Sequence, residues 1–188
     1  MSLIDVKCEE SFYLTNDCCY IKNEPHNLLL GHDCTNDYSI YLHFNLPPYY
    51  YLQNLKQARL LLFKLAFSNC QNQDAKYNIC PLLDFLGFYY CTDSIPAIDN
   101  SRKVTFQDSD CSVYTEIDIT SIVKSWIKED IENKGLLISG NDCSHIIDYA
   151  SSQYAIKGFR PMLRLIYDDN IYCEPLSTTP CDIDIDSP

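Results

Sequence analysis

The residues best able to do chemistry in this chain are its 11 cysteines and 4 histidines, and five of them crowd together in one place. Cys18, Cys19, His26, His32 and Cys34 share a short span, and thiolate with neutral imidazole is a zinc-type ligand set. The span lacks the Cys-x-x-Cys knuckle of a structural zinc site, so neither a metal nor a cofactor is expected. Ser121-Ile122-Val123-Lys124 spells S-x-x-K, but the Ser-Asp-Asn and Lys-Thr-Gly partners of the penicillin-binding enzymes are missing. Ser121 reads instead as a helix-start residue. Cys143, Ser144 and His145 set a nucleophile beside a base in sequence, yet catalytic pairs meet in space, and neighbours on a strand point to opposite sides. The acid pairs Asp108-Asp110 and Glu129-Asp130 read as solvated loop carboxylates rather than a glycosidase pair. The tail Asp182-Ile183-Asp184-Ile185-Asp186 lacks the glycine and the distant glutamate of a calcium loop. No catalytic constellation assembles, and a non-enzyme is expected.

The cysteines as a set have three readings. Most serve as small hydrophobes, a metal site is the second, and cross-linking between chains is the third. An odd count leaves at least one thiol for another chain or for none. Cys8 lies just ahead of the first expected strand, and Cys173 and Cys181 lie in the tail after the last, so these three are the candidate joints. Tyrosine is the other surplus, 15 residues in all. Tyr49-Tyr50-Tyr51 follows Pro47-Pro48, and Tyr89-Tyr90 follows Phe88. Tyrosines on loops or on one sheet face stack on sugar rings and also dominate protein interfaces, which makes these five the candidate glycan or interface residues. A half-buried sandwich position is the default for any one of them.

Short strands must position these groups. Val113, Thr115, Ile117 and Ile119 alternate with Tyr114, Glu116, Asp118 and Thr120, the period of a half-buried strand. Thr120 ends it, with a hydroxyl suited to accept from the free N–H groups of a helix start. Ile122, Val123, Trp126 and Ile127 then share one face at helical spacing, which predicts a short helix over 121–129 pinned by the lone tryptophan. Asn133-Lys134-Gly135 supplies turn chemistry before the strand Leu136-Leu137-Ile138. Proline is tolerated at the first residue of a strand, so Arg160-Pro161 opens a last strand with Leu163, Leu165 and Tyr167 facing in and Arg164 facing out.

This series resembles the DNRLRE-type domains, relatives of a group of carbohydrate-binding modules. The resemblance rests on Asp118, Thr120, Trp126, Gly135, Arg160, Pro161 and Tyr167. It extends more loosely to Leu28-Leu29-Leu30-Gly31, to Ile40-Tyr41-Leu42-His43-Phe44-Asn45-Leu46, to Ala58-Arg59-Leu60-Leu61-Leu62-Phe63 and to Tyr149-Ala150-Ser151-Ser152. It runs from about Cys8 to Tyr167, with 69–106 departing most from the family pattern. It implies a carbohydrate ligand.

Many short apolar runs separated by Asn, Asp, Ser and Pro, with one short helix, predict an all-β antiparallel sandwich of jelly-roll type over residues 1–168, followed by an acidic tail at 169–188. The net charge of −12 repels phosphate backbones, so nucleic acid is not an expected partner. The same field disfavours a polyanionic sugar unless Lys56, Arg59, Lys64, Arg102, Lys103, Lys157, Arg160 and Arg164 gather into a local patch. No stretch is long and apolar enough to span a membrane, and Met1 to Cys8 lacks the basic leader and apolar core of a secretory signal. The expectation is a structural or adhesive module that self-associates in a bacterial cell-surface or spore-surface layer, with disulfides between chains. Polysaccharide binding through tyrosines and basic residues is the alternative.

Overall fold

The computed structural model of the chain describes residues 1–15, 26–33, 35–48, 54–65, 75–86, 96–108, 112–141 and 146–168. Alternating aliphatic and polar residues make strands wherever one face has a core to cover, and every pairing among the ten strands is antiparallel. β1 (Ser2–Thr15) is long enough to serve two sheets. Its first half pairs with β10 (Met162–Tyr167) and its second with β3 (Asp37–Phe44). The register shifts between Cys8 and Glu10, the kind of bulge that lets one strand turn from sheet to sheet.

The first sheet runs β1-β10-β4-β7, with β4 at Leu55–Phe63 and β7 at Tyr114–Asp118. The second runs β3-β8-β5-β6, with β5 at Lys76–Pro81, β6 at Val104–Gln107 and β8 at Leu136–Asn141. β2 (Asn27–His32) forms a hairpin with β3, and β9 (Ile146–Ala150) pairs with β2. This strand order is that of a jelly roll, and the expected all-β antiparallel sandwich is the observed one.

Inward residues of both sheets meet in one core. Ala58, Leu60, Leu62, Ile117, Leu163 and Leu165 come from the first sheet, and Ile40, Leu42, Phe44, Tyr77, Ile79, Leu136 and Ile138 from the second. A smaller core lies on the other side of the second sheet, where Phe12, Tyr41 and Leu137 are covered by Leu82 and Leu86, with Ile98 packed alongside. Gly135 belongs to its rim. Its φ is +100°, and a Cβ there would stand 2.6 Å from the Tyr41 ring. A side chain is therefore refused both by the backbone conformation and by the space.

The expected helix is α1 (Thr120–Ile127), which starts one residue earlier and ends two earlier than the pattern suggests. Ile119, Ile122, Val123 and Trp126 seat it against the core. Thr120 does not cap it as expected. Its hydroxyl accepts the Ala58 N–H of β4 at 2.9 Å, while the Asp118 carboxylate accepts the Thr120 N–H at 2.9 Å and the Thr120 hydroxyl at 2.6 Å. The Asp-x-Thr sequence thus ties helix start to strand, and the hydroxyl serves the sheet. Among the described residues no helix is long and apolar enough to cross a membrane.

Candidate functional site

Strand alternation places four polar side chains where apolar ones are due. On β4, Ala58, Leu60 and Leu62 face the core, and two residues on comes Lys64. On β6, Val104 and Phe106 pack on the core, and two residues on comes Asp108. Thr115 precedes Ile117 on β7, and Tyr149 follows Ile147 on β9. The four meet inside the sandwich, at the end of β7 away from α1. Lys64 Nζ lies 2.5 Å from Asp108 Oδ2, with the two side chains only 3% and 6% exposed. The Thr115 hydroxyl donates to Asp108 Oδ1 at 2.5 Å and lies 2.9 Å from the Tyr149 phenol oxygen. Because a hydroxyl has one proton, Tyr149 donates to Thr115, and the chain of hydrogen bonds points at the carboxylate. Burial first, and the nearby Asp108 charge second, push the Tyr149 phenol far above its ordinary range. Asp108, expected as a solvated loop acid, is instead a buried partner of a lysine.

This cluster also joins the sheets. The Lys64 N–H donates to the Val113 carbonyl, the Leu65 N–H donates to the Asp148 carbonyl at 2.8 Å, and Lys64 forms a bridge with Tyr149. Its signal in the sequence is the continuation of an apolar alternation by a cation on one strand and by an acid on another.

The outer face of the first sheet carries the same chemistry in the open. In-register pairing sets Asp5, Arg164, Arg59 and Asp118 in one row across its four strands. Arg164 reaches Asp5 with two hydrogen bonds, at 2.8 and 3.0 Å. Arg59 pairs with Glu116, and the Gln57 amide donates to Asp118 at 2.9 Å. Of the eight basic residues that could form a local patch, five (Lys56, Arg59, Lys64, Arg102 and Arg164) each sit against a carboxylate. Arg160 donates from Nε to the Tyr154 carbonyl at 2.8 Å, fixing the turn that leads through Pro161 into β10.

Beyond this row lies a strip of rings. Phe63 and Tyr114 are directly paired across β4 and β7, with centroids 5.8 Å apart. Phe159 stacks between Phe63 and Tyr154, at 5.6 and 6.3 Å, tilted 15° from each. Phe159 is 42% exposed, and the neighbouring Ile156 and Val113 stand out at 54% and 57%. These rings were not among the tyrosines singled out by sequence. Tyr49, Tyr50, Tyr51, Tyr89 and Tyr90 lie outside the described residues, as do Cys173 and Cys181. So do Cys18, Cys19, Cys34 and Cys143; among the described residues no group of metal-type ligands gathers, and His32 instead hydrogen-bonds Asp37 at 2.7 Å.

Cys8 requires a correction. It sits in the middle of β1, not ahead of it, and is 7% exposed. Its sulfur lies 3.1 and 3.5 Å from the Glu10 and His43 carbonyl oxygens, which share its one proton, and burial pushes its pKa up to about 12. The thiolate is the reactive form, so burial makes this thiol a poor nucleophile in the folded chain. Compared with protein-family models and with curated proteins, the chain matches none.

Proposed function

We propose that the chain is a non-catalytic β-sandwich module that self-associates in a bacterial cell-surface or spore-surface layer. The observation that carries this reading is the strip of Phe63, Tyr114, Tyr154 and Phe159, flanked by exposed Val113 and Ile156. Offset stacking covers part of each ring face, so the strip offers ring edges and aliphatic groups, the surface of a protein contact. With Cys8 buried, Cys173 and Cys181 remain the candidate covalent joints. The test is sedimentation of the full chain over a range of concentrations, with and without reductant. Association that weakens in reductant and on Phe159→Asp supports the reading; a monomer throughout refutes it.

Carbohydrate binding is the second reading, favoured by one arrangement: Gln57, Arg59 and Arg164 lie on the same outer face as Phe63 and Tyr114. A polar row beside rings suits sugar hydroxyls. Glycan affinity would be indifferent to reductant, and a glycan array that stayed blank would remove this reading.

A further inference from the structure

We propose that Lys64 and Asp108 are joined by a spontaneous amide bond between their side chains, a covalent brace from β4 to the end of β6 across the interior of the sandwich. Lys64 Nζ and Asp108 Oδ2 are 2.5 Å apart and almost fully enclosed, which is the held approach that turns a slow bimolecular condensation into an intramolecular one. Enclosing an ion pair costs the water that both charges give up, whereas an amide carries no charge. The surrounding groups fit the reaction. Thr115, backed by Tyr149, directs its hydroxyl proton at Asp108 Oδ1, where negative charge gathers as the carbonyl carbon becomes tetrahedral.

The step balances without any added reagent. A proton passes from the Lys64 ammonium to the Asp108 carboxylate, giving an amine and a carboxylic acid. The nitrogen lone pair attacks Asp108 Cγ and forms the C–N bond. The acid's hydroxyl then leaves with a proton from nitrogen as one water molecule, and nothing is oxidised or reduced. The product closes the stretch from 64 to 108 into a covalent loop, a constraint on the unfolded chain of the same kind as a disulfide, but one that reductant cannot open.

The test is the intact mass of the folded full chain, denatured, reduced and alkylated. The expected result is a mass lower than the sequence by one water. Trypsin should then fail to cut at Lys64, and tandem spectra should show residues 60–76 joined to 104–124 as one branched peptide. Lys64→Arg and Asp108→Ala should each lose the water deficit completely. A folded wild-type protein of full mass, cleaved normally at Lys64, would overturn the proposal without recourse to any variant. So would a water deficit confined to one unbranched peptide, the signature of an aspartyl succinimide.

Discussion

Two regions of this molecule use the same ingredients to opposite effect. The outer row of the first sheet and the interior cluster are both built from basic side chains against carboxylates, one in water and one out of it. Arg164 and Asp5 are each about a third exposed, at 35% and 34%, whereas Lys64 and Asp108 are enclosed. In water, the pair gains little, because solvent screens it and two long side chains must be ordered. Inside, the pair has little solvent to fall back on, so its members depend on each other and on Thr115 and Tyr149. The outer row keeps the sheet face soluble and in register; the inner cluster locks one end of the sandwich, whether as an ion pair or as the amide it is placed to form.

The largest effect is therefore expected inside. Lys64→Met leaves the Asp108 carboxylate enclosed without its cation, and urea unfolding should show a loss of about 3–5 kcal/mol. The double variant Lys64→Met/Asp108→Leu should recover the share of that loss that comes from the enclosed unpaired carboxylate, but not the share that comes from losing the amide's loop constraint. Thr115→Val removes a donor from Asp108 and an acceptor from Tyr149, and a loss of about 1–3 kcal/mol is expected in the same assay. On the outer face, Arg164→Ala should shift stability by no more than about 1 kcal/mol, with the difference shrinking in high salt. An Arg164 effect as large as that of Lys64 would erase the distinction between the two regions.

The smallest effect is in acid, at two turns. Asp33 and Asp99 are held below the ordinary carboxylate range, Asp33 chiefly by the Thr35 N–H and Asp99 chiefly by the Ser101 hydroxyl. An acid whose folded pKa is depressed adds stability that is complete above its unfolded pKa, about 3.9, and is lost as pH falls through the folded value. The urea midpoint should thus be insensitive to these groups near neutrality and fall below about pH 4. Asp33→Asn and Asp99→Asn should flatten that fall.

What the sequence disclosed, and what it withheld, follows the range of the interactions. Alternation along single strands placed Leu163 and Leu165 inside, and helical spacing found Trp126 and its neighbours, because both signals lie within a few residues. Gly135 was legible as a turn, though its closeness to Tyr41 was not. Thr120 was misread because a hydroxyl beside a helix start has two possible clients, and only the fold reveals that the Ala58 N–H is the nearer. Cys8 is misplaced because the short alternation of Ile4, Val6 and Cys8, which packs on the core, is interrupted by exposed charged residues and reads weakly as a strand. The interior cluster is hidden for another reason: Thr115 and Tyr149 lie on two strands and Lys64 and Asp108 lie just past the ends of two others, and only the sheet order brings them together. The ring strip needed the turn before Pro161 to carry Phe159 against Phe63, a contact across about half the chain.

The central claim, a module that builds a surface by binding copies of itself, is tested most directly by size exclusion with light scattering across a range of concentrations. Wild-type protein is compared with Phe159→Asp, each with and without reductant. The expected result is wild-type assemblies larger than one chain that shrink with dilution, with reductant and with the substitution. Wild-type protein that elutes as one chain at every concentration, oxidised or reduced, would contradict it.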